Sequence, residues 1–256
     1  MTYAMQPLVS IITVVYNGAL TLEQTINSVL NQKYSNIEYI IIDGGSKDNS
    51  VDIIKKYEKQ ISYWVSEKDN GLYDAMNKGI LKANGTLIGM INSDDWYEEN
   101  AVQLIVDAYN QDRSKQIFHG DRFDITESGE KIVRKYHPSS SKLIYYGMTY
   151  NHPSMFVHRD VYRYCLYNTS MRSLSDYQFV LTQYLKNAES FCYIPVPYVN
   201  YRLTGISANL SLRKAIKEGF IARKLAGLSL AQNLISVMVR TIRVIMHRLL
   251  RFFLNP

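Results

Sequence analysis

The sequence predicts an α/β fold, built on a mostly parallel sheet with flanking helices. Segments of strand character alternate with segments of helical periodicity through the first hundred residues. Such alternation is typical of strands that are joined by right-handed crossovers through helices. The first strand segment, residues 9–16, is continuously apolar and rich in β-branched residues. This composition indicates a strand that is buried on both faces.

The first hundred residues divide into alternating strands and helices. A helix over residues 20–32 follows the first strand, because Leu22, Ile26 and Val29 fall on one of its sides. The further predicted strands cover residues 38–42, 61–65 and 87–91, and the further predicted helices cover residues 51–59, 73–83 and 98–109.

After about residue 115 the pattern loosens. Residues 116–123 are typical of another strand, and the serine cluster at 139–141 indicates a loop or a helix cap. A helix is predicted over residues 174–186, and residues 212–254 are mostly helical and basic in character.

Polar residues follow three of the predicted strands. The first strand ends in Tyr16 and Asn17, the second in Asp43, and the fourth in Asp94 and Asp95. Ligands of open α/β sheets bind beyond the carboxyl ends of the strands, so these side chains are expected in one crevice. An ordinary strand-to-helix turn, capped by a serine, is the alternative for the residues that follow the second strand.

The adjacent carboxylates of Asp94 and Asp95 would repel one another unless a cation balances them. Mg²⁺ and Mn²⁺ are bound by one or two carboxylates together with phosphate oxygens and water. No G-x-G-x-x-G motif follows the first strand, and no P-loop motif occurs. Dinucleotide oxidoreductases and P-loop proteins are therefore disfavoured, and a metal-bound diphosphate is favoured.

Positive charge is concentrated at the C-terminal end. From Arg202 onward there are ten Lys/Arg and one acid, which gives +9, so the total of +6 leaves −3 for the preceding 201 residues. A basic end favours nucleic acid or an anionic membrane as partner. Cys165 and Cys192 match neither metal nor disulfide spacing, and no signal peptide is recognised, so we expect a cytoplasmic protein.

Residues 229–253 form two sides on a helical wheel. One side carries Ser229, Asn233, Ser236, Arg240, Arg243, His247 and Arg251. The other side carries Ile235, Met238, Ile242, Met246, Leu249 and Phe253. This pattern favours a helix in the interface of an anionic membrane over a nucleic-acid contact, and the arginines prevent it from spanning. The alternative is a helix that packs on the catalytic domain or on a partner chain.

Four motifs appear in order and carry a family resemblance. They are VSIITVVYN at residues 9–17, IIDGGSKD at 41–48, GLYDAMNKG at 71–79 and INSDDW at 91–96. Together they resemble the inverting family 2 glycosyltransferases of GT-A fold, in the branch found in bacterial capsule, O-antigen and exopolysaccharide assembly. The resemblance extends over residues 9–202.

The resemblance implies a role for each matching residue on the donor side. Tyr16 and Asn17 would hold the nucleotide base, with Asp43 near the base or the ribose. Asp94 would lie near the ribose and the diphosphate. Asp94 and Asp95 would bind the Mn²⁺ or Mg²⁺ ion that bridges the diphosphate.

The resemblance also implies a base and an acceptor side. Asp176 matches the catalytic base, although an acid in the first turn of a helix is also favoured by the helix dipole alone. His152 matches the segment that lines the acceptor, although it is also explained as a loop histidine beside a proline.

The implied activity is transfer of a hexose from a nucleotide-diphosphate sugar, expected to be UDP-linked, to a saccharide or lipid-linked saccharide acceptor. We expect a catalytic domain over residues 1–205, with a nucleotide-sugar half (1–115) and an acceptor half (116–205). A membrane-associating tail over 206–256 would hold the enzyme peripherally on the inner face of the cell membrane.

Three departures from the family pattern leave a second interpretation open. Gly44, Asn92 and Ser175 stand where family members commonly carry acids. A catalytically inactive protein that binds a nucleotide or a glycan would also fit these changes. A sugar-nucleotide pyrophosphorylase is disfavoured, because residues 18–22 do not form the Gly- and Arg-rich loop that grips a triphosphate.

Overall fold

The computed structural model describes residues 6–203 and 212–254. The predicted domain boundary near residue 205 lies outside the described residues. The described residues cluster into two compact units. The first unit contains residues 6–136, 150–172 and 189–203, and the second contains residues 137–149, 173–188 and 212–254.

The strands of the described residues all belong to one sheet in the first unit. In chain order they are β1 (Val9–Val15), β2 (Ile37–Asp43), β3 (Tyr63–Ser66), β4 (Leu87–Asn92), β5 (Trp96–Tyr97), β6 (Ile117–Ile125), β7 (Lys131–Arg134), β8 (Phe156–His158) and β9 (Phe191–Arg202). The order in the sheet is β3-β2-β1-β4-β8-β6-β9-β5, with β7 paired to β6. The pairs among β3, β2, β1 and β4 are parallel, as is β6 with β9, and the other pairs are antiparallel.

The helices of the described residues are divided between the two units. The first unit contains α1 (Leu22–Leu30), α2 (Ser50–Lys56), α3 (Leu72–Lys82), α4 (Ala101–Gln111) and α6 (Arg159–Tyr162). The second unit contains α5 (Ser140–Tyr145), α7 (Ser175–Lys186), α8 (Leu212–Leu225) and α9 (Leu230–Leu254). The predicted α/β fold, a mostly parallel sheet with flanking helices, is confirmed.

Strand β1 lies between β2 and β4, and all seven of its residues are buried. This placement explains its continuous apolar sequence. Leu22, Ile26 and Val29 of α1 belong to the same buried cluster as Ile11 of β1. Each fully buried side chain of this kind contributes roughly 1.5–3 kcal/mol, so the apolar side of α1 fixes this helix on the sheet.

The strands that the sequence did not predict are the short ones and the one that contains prolines. β5, β7 and β8 have two to four residues, which is too few for a periodic pattern. β9 contains Pro195 and Pro197, and proline disfavours a strand interior because it has no N–H to donate. The register shifts there: Gly120 pairs with Ile194, and Asp121 pairs with Pro197.

Several predicted helices differ in their bounds from those observed, and the helix predicted over residues 20–32 covers only Leu22–Leu30. The helix predicted to end at residue 59 ends at Lys56, and a 3-10 turn over Glu58–Gln60 follows. The helix predicted from residue 98 begins at Ala101, and the amide of Glu98 donates to the carbonyl oxygen of Tyr198 in β9. In the serine cluster, the predicted helix cap is confirmed, since the side chain of Ser139 caps α5.

The second unit packs around one buried arginine. Arg223 of α8 is almost completely buried, and its Nε donates to the carbonyl oxygen of Ile144 at 3.1 Å. Its guanidinium lies 5.8 Å from the ring centroid of Tyr177, whose hydroxyl donates to the carbonyl of Leu143 at 2.7 Å. The positive φ of Gly227, 99°, ends α8 and directs the chain into α9.

Part of the polar side of α9 packs inward. Asn233 and Ser236 are buried, and Arg240 donates to the carbonyl oxygen of Ala215 in α8 at 3.2 Å. Arg243 lies over the ring of Tyr146, 4.3 Å from its centroid. Arg240 is thus engaged within the second unit, whereas Arg243 remains exposed, and the prediction of a membrane-associating basic tail stays a prediction. The side chains of His247, Leu249, Arg251 and Phe253 lie outside those described.

The apolar side of α9 is exposed instead. Its exposed residues are Leu230, Leu234, Ile235, Met238, Val239, Ile242 and Met246. None of the helices within the described ranges combines the length and hydropathy needed to cross a membrane.

Candidate functional site

The sheet pairing brings three of the predicted polar segments to one edge. Val15 pairs with Asp43, and Val14 pairs with Asn92, so β1, β2 and β4 end at the same level. Tyr16, the turn after Asp43 and the turn after Asn92 therefore lie side by side. This edge is the carboxyl end of parallel strands, where open α/β sheets bind their ligands.

Asp94 and Asp95 lie in the tight turn after β4, which the amide of Asp95 closes by donating to the carbonyl of Asn92 at 3.1 Å. Asp95 is only 1% exposed. Its Oδ1 accepts a hydrogen bond from the amide of Arg202 at 3.0 Å, but its buried Oδ2 has no partner among the described residues. Asp94 is partly exposed, so it is the more accessible of the two carboxylates.

Residues from two distant elements hold this turn. The hydroxyl of Thr25 in α1 donates to the carbonyl oxygens of Ser93, at 3.0 Å, and Asp95, at 2.7 Å. The guanidinium of Arg202, at the end of β9, donates to the carbonyl oxygen of Asp94. The sequence did not single out Arg202, because no local pattern marks a contact across 108 positions.

Burial raises the pKa of Asp95 from its ordinary 3.8 to about 8, and the negative charge of Asp94 adds to this rise. Burial also raises the pKa of Asp94. The charges of Arg122 and Arg202 act in the opposite direction at Asp95 and do not cancel the effect. A carboxylate in this position is destabilised in its charged form, and a nearby cation would remove that penalty.

The unpartnered Oδ2 of Asp95, beside a second carboxylate, fits a divalent cation, since Mg²⁺ and Mn²⁺ prefer carboxylate oxygens. Across residues 6–203 and 212–254, no group of three or more His, Cys, Asp or Glu side chains is gathered into a metal cage. A cation at this turn would therefore complete its coordination with water and with oxygens of a ligand, as Mg²⁺ does in phosphate sites.

The carboxylate of Asp43 is turned into the protein. It is completely buried, and its Oδ2 accepts hydrogen bonds from the amides of Gly45 (3.1 Å) and Ser46 (3.0 Å) and from the hydroxyl of Ser66 (2.6 Å). Its Oδ1 accepts from the hydroxyl of Ser46. Asp43 thus shapes the turn after β2. Ser46 is not a helix cap, because α2 begins only at Ser50.

Asn17 connects the loops after β1 and β2. Its side-chain Oδ1 accepts a hydrogen bond from the backbone amide of Lys47 at 2.7 Å, and its backbone amide donates to the hydroxyl of Ser46 at 2.8 Å. Its φ of 51° lies in the left-handed region, which asparagine tolerates better than most residues. The neighbouring side chain of Tyr16 is 61% exposed, so its ring is available to a ligand at this edge.

His152 lies in the same unit, in a 3-10 turn over His152–Ser154. Its Nε2 forms a 2.9 Å hydrogen bond with the hydroxyl of Tyr167. The backbone of Tyr167 is held by Asn77 of α3 through two hydrogen bonds of 2.8 and 3.0 Å. The ring of Tyr167 stacks on Tyr73, with centroids 5.7 Å apart. His152 is therefore fixed through Tyr167 to α3.

Asp176 lies in the second unit, in the first turn of α7. It is partly exposed, and its Oδ1 accepts a 2.8 Å hydrogen bond from the amide of Tyr177. Two other acids of the first unit are engaged internally. Asp121 accepts from the amide of Tyr136 and the hydroxyl of Tyr193, and Asp124 forms ion pairs with two arginines.

Comparison with known sequences gives a direct family match. Residues 10–170 match the family described as glycosyl transferase family 2. An uncharacterized glycosyltransferase of Mycobacterium tuberculosis is 46% identical over 90 residues, which are 35% of this chain and 34% of that protein. The chain thus spans about a third of the length of this relative.

Two solved structures share the fold. TarS 1-349 of S. aureus, in complex with UDP-GlcNAc, has a TM-score of 0.69 at 14% identity and covers 88% of this chain and 69% of its own. The mannosyltransferase PcManGT of Pyrobaculum calidifontis, in complex with GDP-Man and Mn²⁺, has a TM-score of 0.55 at 13% identity. The match covers 95% of this chain and 81% of the mannosyltransferase chain. The predicted GT-A fold is thereby confirmed. Because the family match also extends over more than half of the 256 residues, the chain belongs to glycosyl transferase family 2.

Proposed function

We propose that this protein is an inverting glycosyltransferase that moves a hexose from a UDP-linked sugar to a saccharide or lipid-linked saccharide in cell-surface polysaccharide biosynthesis. The observation that carries the proposal is the turn of Asp94 and Asp95. It stands at the carboxyl ends of parallel strands, inside the matched family region, and it contains a buried carboxylate oxygen to which no described residue donates a hydrogen bond. The UDP choice is supported by the fold shared with TarS, which binds UDP-GlcNAc.

Asp94 and Asp95 are the proposed holders of a Mn²⁺ or Mg²⁺ ion. The chemistry that such an ion supplies is neutralisation of negative charge on the leaving diphosphate. The partly exposed Asp94 is also the proposed contact to the ribose and diphosphate. Arg202 and Thr25 keep the turn in place, so that the two carboxylates need not reorganise when the donor binds.

Tyr16, Asn17 and Asp43 are proposed as the base-side residues of the donor site. The exposed ring of Tyr16 offers a surface on which a nucleobase can stack. Asn17 and Asp43 act through the backbone, because their side chains hold the loops after β1 and β2 in shape. His152 is proposed for the acceptor side, where its bond to Tyr167 sets the orientation of the imidazole.

Asp176 is the proposed general base. Inversion requires that a base take the proton of the acceptor hydroxyl as that oxygen attacks the anomeric carbon. The bond between the sugar and the diphosphate breaks, and the leaving diphosphate carries away the electron pair. Asp176 lies in the first turn of α7 and is partly exposed, so its carboxylate is accessible from solvent for this task.

An anionic membrane surface is the proposed partner of the second unit, and nucleic acid is not. The apolar side of α9 is exposed over four turns and would enter the interface. The positive charge beside it would come from the exposed residues of α8, which are Arg213, Lys214, Lys217 and Lys224. The protein would then act as a peripheral enzyme on the inner face of the cell membrane.

Donor hydrolysis tests the proposed function directly. The protein is incubated with UDP-sugars in Mn²⁺ or in a chelator, and the release of UDP is measured. A transferase hydrolyses its donor slowly even without acceptor, so we expect UDP release that depends on Mn²⁺. If UDP binds but is never released from any UDP-sugar, even when saccharide acceptors are added, the protein is instead an inactive nucleotide-binding relative. The residues Gly44, Asn92 and Ser175 favour that second candidate.

A further inference from the structure

The space beside Gly44 is occupied by a carboxylate from another loop. A Cβ atom placed on Gly44 would overlap Oδ2 of Asp69 and lie 3.0 Å from its Cγ. The loop between β3 and α3 therefore places an acid directly beside the turn after β2. A side chain at residue 44 and the observed position of Asp69 exclude one another.

Asp43, the acid that precedes Gly44, is not available to a ligand. Asp43 is completely buried, and both of its oxygens accept hydrogen bonds within the turn. Asp69 differs in both respects. It is partly exposed, and only its Oδ1 is engaged, by the amide of Gly71 at 2.8 Å. Oδ2 of Asp69 accepts no hydrogen bond from the described residues, so one carboxylate oxygen is available to a ligand.

The backbone places this oxygen near the end of β1, which Tyr16 follows in the chain. The amide of Gly44 donates to the carbonyl of Val15 at 2.9 Å, so residue 44 lies next to the end of β1. On the other side, the amide of Glu67 donates to the carbonyl of Asp43 at 3.0 Å, which fixes the start of the loop that carries Asp69. The exposed residue Tyr16 and an available carboxylate oxygen of Asp69 therefore belong to the same edge of the sheet, at the ends of the neighbouring strands β1 and β2.

We infer that Asp69 reads the nucleobase of the donor: its Oδ2 accepts the ring N–H of a base that stacks on Tyr16. This inference rests on the proposed function, because it assigns a contact within the donor site. A carboxylate only accepts hydrogen bonds. Uracil and guanine carry an N–H at the ring position that faces such an acceptor. Cytosine and adenine have a bare nitrogen there, whose lone pair would oppose the carboxylate.

The test is a set of calorimetric titrations with Mn²⁺, using UDP, CDP, GDP and N3-methyl-UDP, which lacks the ring N–H. We expect wild type to bind UDP at least about 10-fold more tightly than CDP or N3-methyl-UDP. A site that accepts a hydrogen bond from an N–H of its ligand rejects analogues that lack this N–H. Asp69→Asn should weaken UDP binding by about 10-fold and leave N3-methyl-UDP binding unchanged. Tighter binding of GDP than of UDP, also lost in Asp69→Asn, would assign the same contact to guanine.

Two further variants separate base recognition from loop structure. Asp52→Asn removes the same charge from an exposed position on α2 and should change nothing. The double variant Asp69→Ala, Gly44→Asp removes the carboxylate of residue 69 and places a new carboxylate at residue 44, in the space that Asp69 leaves. This variant should restore the preference for UDP over CDP. A merely structural role for Asp69 would not be rescued in this way.

Undiminished UDP binding by Asp69→Asn, with thermal unfolding like that of wild type, would overturn the inference and leave the proposed function standing. If Asp69→Asn unfolds, failure of the Asp69→Ala, Gly44→Asp double variant to restore base preference would overturn it instead. Wild type that binds no nucleoside diphosphate would contradict the proposed function itself, and the inference with it.

Discussion

The backbone amide of Arg202, at the end of β9, donates a 3.0 Å hydrogen bond to Oδ1 of Asp95 in the turn after β4. The guanidinium of the same arginine donates to the carbonyl oxygen of Asp94 and, at 2.5 Å, to Oε1 of Gln24 in α1. It also lies over the ring of Trp96, 4.5 Å from the centroid. One residue therefore links the two adjacent acids to a strand and a helix that are distant in sequence.

Replacing Arg202 by alanine should weaken donor binding without unfolding the protein. The substitution keeps the backbone N–H that bonds to Asp95 but removes the guanidinium that fixes the carbonyl of Asp94. We expect the Mn²⁺-dependent affinity for UDP, measured by calorimetry, to fall by about 10-fold, because a hydrogen bond from a charged guanidinium is stronger than one between neutral groups. Arg134→Ala is the matched control, since it removes a guanidinium that is engaged elsewhere, in an ion pair with Asp124 on an exposed strand. Equal losses in both variants would contradict a specific role of Arg202.

The raised pKa of Asp95 predicts how the stability of the metal-free protein depends on pH. The folded state binds this proton up to about pH 8, whereas an unfolded aspartate releases it near 3.8. Between these values the folded state holds more protons, so the free energy of unfolding falls as the pH rises. Asp95→Asn should abolish most of this decrease, because the amide cannot ionise in the buried position.

Chemical unfolding of both proteins between pH 5 and pH 8, in chelator, measures this effect. Adding Mn²⁺ and UDP at pH 8 should stabilise wild type much more than Asp95→Asn. A wild-type protein whose metal-free stability is flat across this pH range would show that Asp95 ionises normally.

The parallel half of the sheet could be predicted because the sequence of each of its strands indicates a strand without knowledge of its neighbours. Residues 9–15 are apolar throughout, as a strand covered on both faces requires, and the prediction for them needs no knowledge of their partners. The same holds for the position of Asp94 and Asp95 at a strand end. β9 could not be predicted, because its prolines argue against a strand and only its pairing with β6 overrides them.

The orientation of side chains was less accessible to prediction. A carboxylate at the end of β2 was expected to face a ligand, but the amides of Gly45 and Ser46 turn Asp43 inward. A helical wheel shows that α9 has two sides, but not which of them packs. The answer depends on polar partners elsewhere in the chain, such as the carbonyl oxygen of Ala215 that accepts from Arg240.

Asp176→Asn should separate catalysis from donor binding. The amide preserves the shape of the side chain but cannot take a proton at its oxygen. We expect kcat for sugar transfer to fall by roughly 10²–10⁴-fold, while the affinity for UDP, measured by calorimetry, stays the same. Asp160→Asn is a control of the same type on the exposed surface of α6. An unchanged kcat would require a different general base, and Asp121 and Asp124 would be the next to test.

The exposed side of α9 should determine attachment to vesicles. Replacing Ile235, Met238 and Ile242 by glutamine removes apolar area that would otherwise enter the lipid interface, at roughly 25 cal/mol per Å². We expect the fraction of protein that sediments with anionic vesicles to fall by at least about 10-fold. Added salt should not cause the same loss in wild type, because salt screens charges but does not remove the apolar contribution. Leu185→Gln, an exposed apolar position on α7, is the control. If the intact protein stays in solution with anionic vesicles at low salt, the exposed side of α9 instead packs on a partner chain.

Calorimetric titration of UDP into wild type and into Asp94→Ala, each with Mn²⁺ and with chelator, tests the central claim most directly. We predict that wild type binds UDP at least about 10-fold more tightly with Mn²⁺ than with chelator. Asp94→Ala should lose this difference, because the accessible carboxylate of the turn is gone while the buried core beneath it remains. If Asp94→Ala binds UDP with Mn²⁺ as tightly as wild type, the two acids after β4 do not form the donor site.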